Sequence, residues 1–504
     1  MVAKIASIAL SGFDGALIEV ETDMKQGLPG IQIVGMGNKA IDEARERVRS
    51  AIPHSLLQFP PRKFTINLAP AELPKDGSHF DLPIALSLLV ASGQLKQTEV
   101  DGAIFAGELA LDGNLRPIRG AITIAEATLY HGVAQLFIPL ANLSQAQLIE
   151  GIEVIGVANL KELYLHLKGE RLIQARSTSR LTPVGTPPAI TIDDIHGQAT
   201  AKRALQIAVA GRHNILLCGP PGAGKTMLAK ALHSLLPPLT VNEMLEVTKI
   251  HSLAREIDTG IVHDHPFRSP HHTTSASTII GGGARPRPGE VSLAHHGVLF
   301  LDELPEFPRS TLEALRQPLE DHQVSLARLS GHITYPANFM LVATMNPCQC
   351  GYYGDPTHEC MCSASQIMTY QKRISGPLLD RIDLILNISK VKPETLFYTK
   401  TLHQKQHFEV LNSIMEVHNV QHKRYNSSII YNASLSSNEV TKRLTLSPEA
   451  QSLLITAADR LGLTTRSYFK LIKVAQTIAD LAAEPIIQAD HIAEALQLRG
   501  TLPT

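Results

Sequence analysis

"NILLCGPPGAGKTMLAKAL", residues 214–232, decides what kind of fold this chain has. Residues 214–218 are a short apolar run of strand type, 219–226 read G-x-x-x-x-G-K-T, and the run that follows carries Leu228 and Leu232 on one helical face. Main-chain amides approach phosphate oxygens only where no Cβ intervenes, so Gly219, Gly222 and Gly224, interleaved with Pro220, Pro221 and Ala223, read as a phosphate-cradling loop. Lys225 is expected to reach the β- and γ-phosphates and Thr226 to ligate Mg²⁺, with Met227 next to them at the helix start. A glycine turn without function rarely carries the Lys-Thr pair, the preceding strand and the following helix together. The reading predicts ATP and Mg²⁺ as cofactors.

Downstream, "GVLFLDEL" (297–304) is an apolar strand ending in two acids. Behind a phosphate loop in an α/β frame, Asp302 is expected in the Mg²⁺ shell and Glu303 to polarise the attacking water. "NFMLVATMNP" (338–347) is a further core strand, which delivers Asn346 to the same edge. Asn346 either orients water against the γ-phosphate or is an ordinary strand-end residue before Pro347.

At 504 residues and 44% apolar composition, the length predicts two to four domains, at roughly 150 residues each. Residues 1–168 mix short β-rich runs with a helix that places Ile41, Ala44, Val48 and Ile52 on one face, so an α+β domain is expected. Residues 169–190 lose periodicity and gain Ser, Thr and Pro, including Pro183, Pro187 and Pro188, which reads as a linker. Strands and helices alternate over 191–390, the pattern of a parallel α/β sheet, and 391–504 are mostly helical around a polar connection at 425–440.

Lys and Arg total 46 against 47 Asp and Glu, so no global field draws the chain to nucleic acid or anionic lipid, and such binding must come from a local patch. No apolar run approaches the ~20 residues of a membrane span, and no secretory cleavage pattern follows the start. Of five cysteines four crowd into 348–362, which is no secreted disulfide framework; a reducing cytoplasm and no membrane partner are expected.

The strings "IHGQ" (195–198), "GPPGAGKT", "FRSPHHTTSASTIIGGG" (267–283), "PRPGEVSLAHHGVLFLDELPEF", "ATMNPCQCGYYGD", "SGPLLDRID" and "TRSYFKLIKVAQTIADLA" resemble the magnesium-chelatase-like AAA+ ATPases of the YifB/ComM group. The start, "GLPGIQIVG" and "AIDEARERVRSAI", resembles the Lon-like N-terminal domain of that group, so the resemblance covers nearly the whole chain. It implies an AAA+ core with a helical lid, behind a Lon-protease-like domain. The implied function is a hexameric DNA translocase or helicase that promotes branch migration in homologous recombination during natural transformation. Single-stranded, double-stranded or branched DNA and recombination proteins are the implied partners. A chelatase-type motor that remodels a protein partner is the alternative.

On the same resemblance Ile195, Gly197 and Gln198 belong to the nucleotide site, Arg381 is the arginine finger offered to the neighbouring subunit's ATP, with Arg373 as the second choice, and Arg466 is the lid arginine contacting the γ-phosphate. The stretch 267–283 matches an insert into the second helix that projects into the pore. There Gly281, Gly282 and Gly283 serve as a tip or tight turn, and Arg285 and Arg287 present cations to DNA. His271 and His272 contact either DNA or the subunit interface. "VSLARLSGHITYP" (324–336) matches the pre-sensor hairpin, with Arg328 or His332 offered to a phosphate backbone.

Cys348, Cys350, Cys360 and Cys362 form two C-x-C pairs; a structural Zn²⁺ site, free thiols and local disulfides are all open. In the front domain "PKDGSHFDLPIALSLL" (74–89) and "GELALDGNLRPIRG" (107–120) resemble Lon protease, but His79 stands where that family has its serine nucleophile and Ile122 where it has its lysine. Ser78 is left without an obvious base, so the domain is expected to be inactive as a protease.

Overall fold

The structure is a computed structural model that describes residues 2–34, 39–73, 75, 77–174, 188–254, 256–257, 259–283, 287–328, 331–391 and 406–500. Among the described residues, nine strands belong to the first part of the chain: β1 (Ala3–Ser11), β2 (Asp14–Lys25), β3 (Gly30–Val34), β4 (Lys63–Ala69), β5 (Ala103–Phe105), β6 (Glu108–Leu109), β7 (Leu115–Arg116), β8 (Gln135–Pro139) and β9 (Glu153–Val157). Seven of them form a mixed sheet in the order β3-β4-β2-β1-β5-β8-β9, and β6 and β7 pair separately. The helix Lys39–His54 lies on this sheet through Ile41, Ala44, Val48 and Ile52, all buried as their spacing predicts. Glu43, Arg45 and Glu46 face solvent, while Arg47 forms a bidentate pair with the buried Asp81 at 2.7 and 3.0 Å.

The second part carries β10 (Ile215–Cys218), β11 (Phe267–Arg268), β12 (Gly281–Gly282), β13 (Arg287–Pro288), β14 (Val298–Leu301), β15 (Gln323–Arg328), β16 (Gly331–Pro336), β17 (Met340–Met345) and β18 (Leu384–Asn387). Five of these make an all-parallel sheet in the order β11-β14-β17-β10-β18. Strands β10 and β14, on either side of β17, are apolar without interruption because both faces of the sheet are covered. Ile215 and Leu217 pack with the helices Ala199–Gly211 and Lys225–Ser234, whereas Leu216 and Cys218 join Leu299, Leu341, Leu312 and Leu378 on the opposite face.

The first of these apolar clusters continues into the C-terminal helices Gln406–Tyr425 and Thr465–Leu481 through Ile414, Leu471, Val474 and Ile478. Polar contacts fix the docking: Gln421 donates to Ala210 O at 2.8 Å, and Lys470 pairs with the buried Asp383 at 2.7 Å.

The two sheets are joined through the helix Val241–Ala254. Its Lys249 pairs with Glu126 and lies 3.9 Å from the Phe13 ring centroid; its Ser252 accepts the Gly120 N–H at 3.0 Å. At the β1–β2 turn Gly12 (φ 64°) touches β16 so closely that a Cβ would come within 2.4 Å of Ile333 Cγ2. The front sheet therefore rests on the β15–β16 hairpin as well.

Of the expected linker, 175–187, with Pro183 and Pro187, lies outside the described residues. Among the described residues no helix is long and apolar enough to cross a membrane.

Candidate active site

The loop after β10 leaves the C-terminal edge of the parallel sheet, and each of its glycines has its own reason. Gly219 donates its N–H to Met345 O at 3.1 Å, and a Cβ there would lie 2.3 Å from Ile388 O, so the sheet's own packing demands it. Gly222 (φ 78°) and Gly224 (φ 85°) take left-handed backbone with nothing within 4 Å of an added Cβ. That open, amide-lined turn at the N-terminus of the ten-residue helix Lys225–Ser234 fits a phosphate chain.

Lys225 Nζ donates to Gly219 O at 2.6 Å, Pro220 O at 3.0 Å and Asn346 Oδ1 at 3.0 Å. Burial holds its pKa below the ordinary lysine value, against the opposing pull of Cys218, Asp302 and Glu303. Those carboxylates face Lys225 because strand order puts β17 between β14 and β10, with Leu301 opposite Ala343 and Cys218 opposite Met345. Asp302 and Glu303 after β14, Asn346 after β17 and the loop after β10 thus share one sheet edge.

Thr344, inside the apolar β17 and fully buried, ties the two acids together. Its hydroxyl accepts the Glu303 N–H at 3.0 Å and donates to Asp302 Oδ1 at 2.5 Å. Glu303 takes a left-handed backbone (φ 56°), and Arg373 pairs with Glu306 in the next turn at 3.0 Å. Sequence reading missed Thr344; the one hydroxyl in "MLVATM" was the signal.

Gln198 (φ 52°) donates from Nε2 to Ala223 O at 3.0 Å and Ser389 O at 3.2 Å, joining the turn of Gly197 and the buried Ile195 to the phosphate loop. Thr226 and Met227 are exposed at the start of the helix.

Arg381 and Arg466 stand elsewhere. Arg381 precedes β18, whose Leu384 pairs with Ile215 at the start of β10, so it lies at the N-terminal edge of the sheet, opposite Lys225. It donates to Arg316 O at 3.0 Å and Pro377 O at 2.7 Å, and pairs with Glu320. Arg466 pairs with the other oxygen of the same carboxylate. Together they hold Glu320 down to about 2. The three residues line a cavity of about 620 Å³ with Asp383, Lys470 and Lys473. The expected contact of Arg466 with a γ-phosphate is therefore not to the phosphate loop of its own chain.

The 267–283 stretch forms an edge strand, a turn and the short helix Ala276–Ile280, capped by Ser275, before the β12–β13 ribbon. Gly281 (φ 101°) lies so near the returning strand that a Cβ would meet Arg287 O at 2.4 Å, which makes it a packed turn and not a loose tip. Arg287 is exposed, and the His271 and His272 rings lie tilted against each other with centroids 4.1 Å apart. Arg268, not singled out in the sequence, clamps the base through Glu290 at 2.7 and 3.0 Å. Arg285 and the side chains of Arg328 and His332 lie outside the described residues. Residues 323–328 and 331–336 pair as antiparallel strands, with Arg328 opposite Gly331.

In the front sheet Ser78 Oγ donates to Glu108, the buried His79 ring contacts Ile8 O at 2.9 Å, and Ile122 is sealed in the core. No lysine takes part in these contacts. The four clustered cysteines lie together just beyond Asn346.

Three family descriptions match the chain in turn: "Subunit ChlI of Mg-chelatase" over 20–142, "Magnesium chelatase, subunit ChlI" over 191–396, and "Magnesium chelatase, subunit ChlI C-terminal" over 405–499. The uncharacterized protein YifB of Escherichia coli is 42% identical over 98% of this chain and 96% of its own length. The competence protein ComM of Haemophilus influenzae is 40% identical over 99% and 97%. A shorter match, 32% identical over 144 residues, covers 26% of this chain and 26% of Lon protease 2 from Bacillus subtilis. Sequence kinship along the whole chain and a phosphate loop on a parallel sheet lead to one conclusion: the chain belongs to the YifB/ComM family of magnesium-chelatase-like AAA+ ATPases, a family whose chemistry implies ATP and Mg²⁺.

Proposed function

We propose that the protein is a ring-forming, ATP-driven DNA translocase that promotes branch migration during the uptake and recombination of DNA. The observation that carries the ring is the position of Arg381 and Arg466, gathered on Glu320 at the sheet edge opposite Lys225. Two cations so placed serve a nucleotide only if it belongs to a neighbouring subunit, and a hexamer is the ring the family suggests. The DNA half rests on kinship with a protein named for competence and on the exposed Arg287 beside the glycine turn.

In this reading 191–390 are the motor, 391–504 its lid and 169–190 a linker. Residues 1–168 are a Lon-like domain without protease chemistry, because Ser78 faces a carboxylate and Ile122 fills the lysine's place. Residues 219–226 would cradle the phosphates of ATP, and Thr226 and Asp302 would hold Mg²⁺, which would neutralise phosphate charge. Lys225 is aimed by Asn346, and Glu303 polarises water from a turn fixed by Thr344. Ile195, Gly197 and Gln198 close the rear of the loop.

ATP turnover with and without single-stranded DNA, together with unwinding of forked DNA by the parent and by Lys225→Ala, tests the proposal. DNA-stimulated turnover and unwinding lost in Lys225→Ala support it. Turnover indifferent to DNA returns the reading to a chelatase-type motor that remodels a protein, the alternative that the match to the chelatase subunit leaves.

A further inference from the structure

The loop that leaves β17 carries Cys348 and Cys350 immediately after Asn346 and Pro347, and brings Cys360 and Cys362 back to them. Cys348 Sγ lies 3.3 Å from Cys350 Sγ and 3.7 Å from Cys360 Sγ; Cys350 and Cys360 are 3.6 Å apart. Cys362 completes a set whose four sulfurs all lie within 4.8 Å of one another.

These spacings discriminate between the chemistries open to four cysteines. A disulfide needs about 2.05 Å between sulfurs, and all four thiols are unbridged. An iron–sulfur cluster sets its inorganic core between the thiolates and holds them further apart. A tetrahedral ion with metal–sulfur bonds of about 2.3 Å has edges of about 3.8 Å, which the 3.6 and 3.7 Å pairs approach.

A main-chain amide adds to this. Cys348 Sγ accepts the Tyr353 N–H at 3.4 Å. An N–H donor of this kind supports the charge of a metal-bound thiolate. Four thiolate ligands suit zinc, and they close its coordination shell, so the ion is structural.

The loop also touches the phosphate loop. Gly351 (φ 87°) sits against Pro221, where a Cβ would come within 2.7 Å of the proline Cδ, and Gln371 Nε2 holds Pro347 O at 3.1 Å. We propose that Cys348, Cys350, Cys360 and Cys362 bind one structural Zn²⁺ and so hold the loop that seats Gly351 on Pro221 and carries Asn346 to Lys225. On binding, the four S–H groups lose their protons to solvent and four Zn–S bonds form.

The whole chain, purified under reduction without added metal and dialysed against chelator, is analysed for zinc by plasma mass spectrometry. One zinc per chain is expected. A mercurial reagent should release it, and Co²⁺ put in its place should show the thiolate-to-cobalt charge-transfer and intense visible bands of a tetrahedral tetrathiolate. A reduced chain that lacks zinc and gives no such spectrum with Co²⁺ overturns the site, as does recovery of the four cysteines in disulfides under the same reducing conditions. Cys360→Ser/Cys362→Ser should lose the ion; if it keeps full zinc, the assignment of ligands is wrong. Should that variant not fold, the cobalt spectrum of the parent decides. Parent protein stripped of zinc should melt earlier and bind ATP several-fold more weakly; unchanged ATP binding overturns the link to Pro221 and leaves the metal site standing.

Discussion

Arg381 and Arg466 end on the two oxygens of one carboxylate, that of Glu320, at the edge of the parallel sheet away from the phosphate loop. Two guanidiniums held side by side suit a polyanion, which under the proposed ring is the ATP of a neighbouring subunit. Arg381→Ala is expected to slow turnover in the assembled protein by about 10³-fold. Mixing Arg381→Ala with Lys225→Ala, each nearly inactive alone, should recover activity, because some interfaces then combine an intact loop with an intact arginine. No recovery, with mixed rings demonstrated, sinks the shared site.

Thr344 holds both Asp302 and the Glu303 amide. Thr344→Val keeps the shape and removes the hydroxyl, with an expected loss of about 1.5–3 kcal/mol, the usual worth of a hydrogen bond to a charged group. Turnover should fall roughly 10- to 100-fold while ATP affinity stays near that of the parent. Steady-state kinetics beside equilibrium binding of a fluorescent ATP analogue checks the split.

Glu303→Gln should leave ATP bound and uncleaved, with turnover reduced about 10²- to 10⁴-fold. The measurement is the ATP-to-ADP ratio recovered from protein isolated after incubation with ATP and Mg²⁺. Near-parental ADP production gives the base role to another residue.

Arg287 is exposed next to the Gly281 turn. Arg287→Glu is expected to weaken DNA binding and to reduce the slope of log affinity against log salt by about one. A slope equal to the parent's places the phosphate contact elsewhere.

His265, His295 and His418 are buried, and burial first of all pushes them down, His265 and His295 to about 4 and His418 to about 3. Arg212 lowers all three further, while Glu243 beside His265 and His418 and Glu246 beside His295 pull the other way. Between these values and the free value of about 6.5 the unfolded chain binds more protons, so stability rises with pH across that window. The melting temperature should fall as pH drops from 7 to 4, and His418→Gln should flatten the fall. A curve level over that range contradicts the burial of these rings.

Local sequence pattern was enough for the phosphate loop, the acidic strand end and one helix face. The strand, glycine turn and helix of 214–232, the acids closing 297–304 and the apolar face of Ile41, Ala44, Val48 and Ile52 are all short-range signals, readable because periodicity and backbone freedom act over a few residues. Strand order is a long-range matter. That β17 lies between β14 and β10, and so carries Asn346 to Lys225, depends on pairings between segments about forty and more than a hundred residues apart. The same holds for Arg381 and Arg466, which share Glu320 because the C-terminal helices dock on the sheet's flank through Lys470 and Asp383. Composition and spacing named the groups that can do chemistry; packing chose which of them meet, since burial and pairing are properties of the assembled layers and of no single stretch.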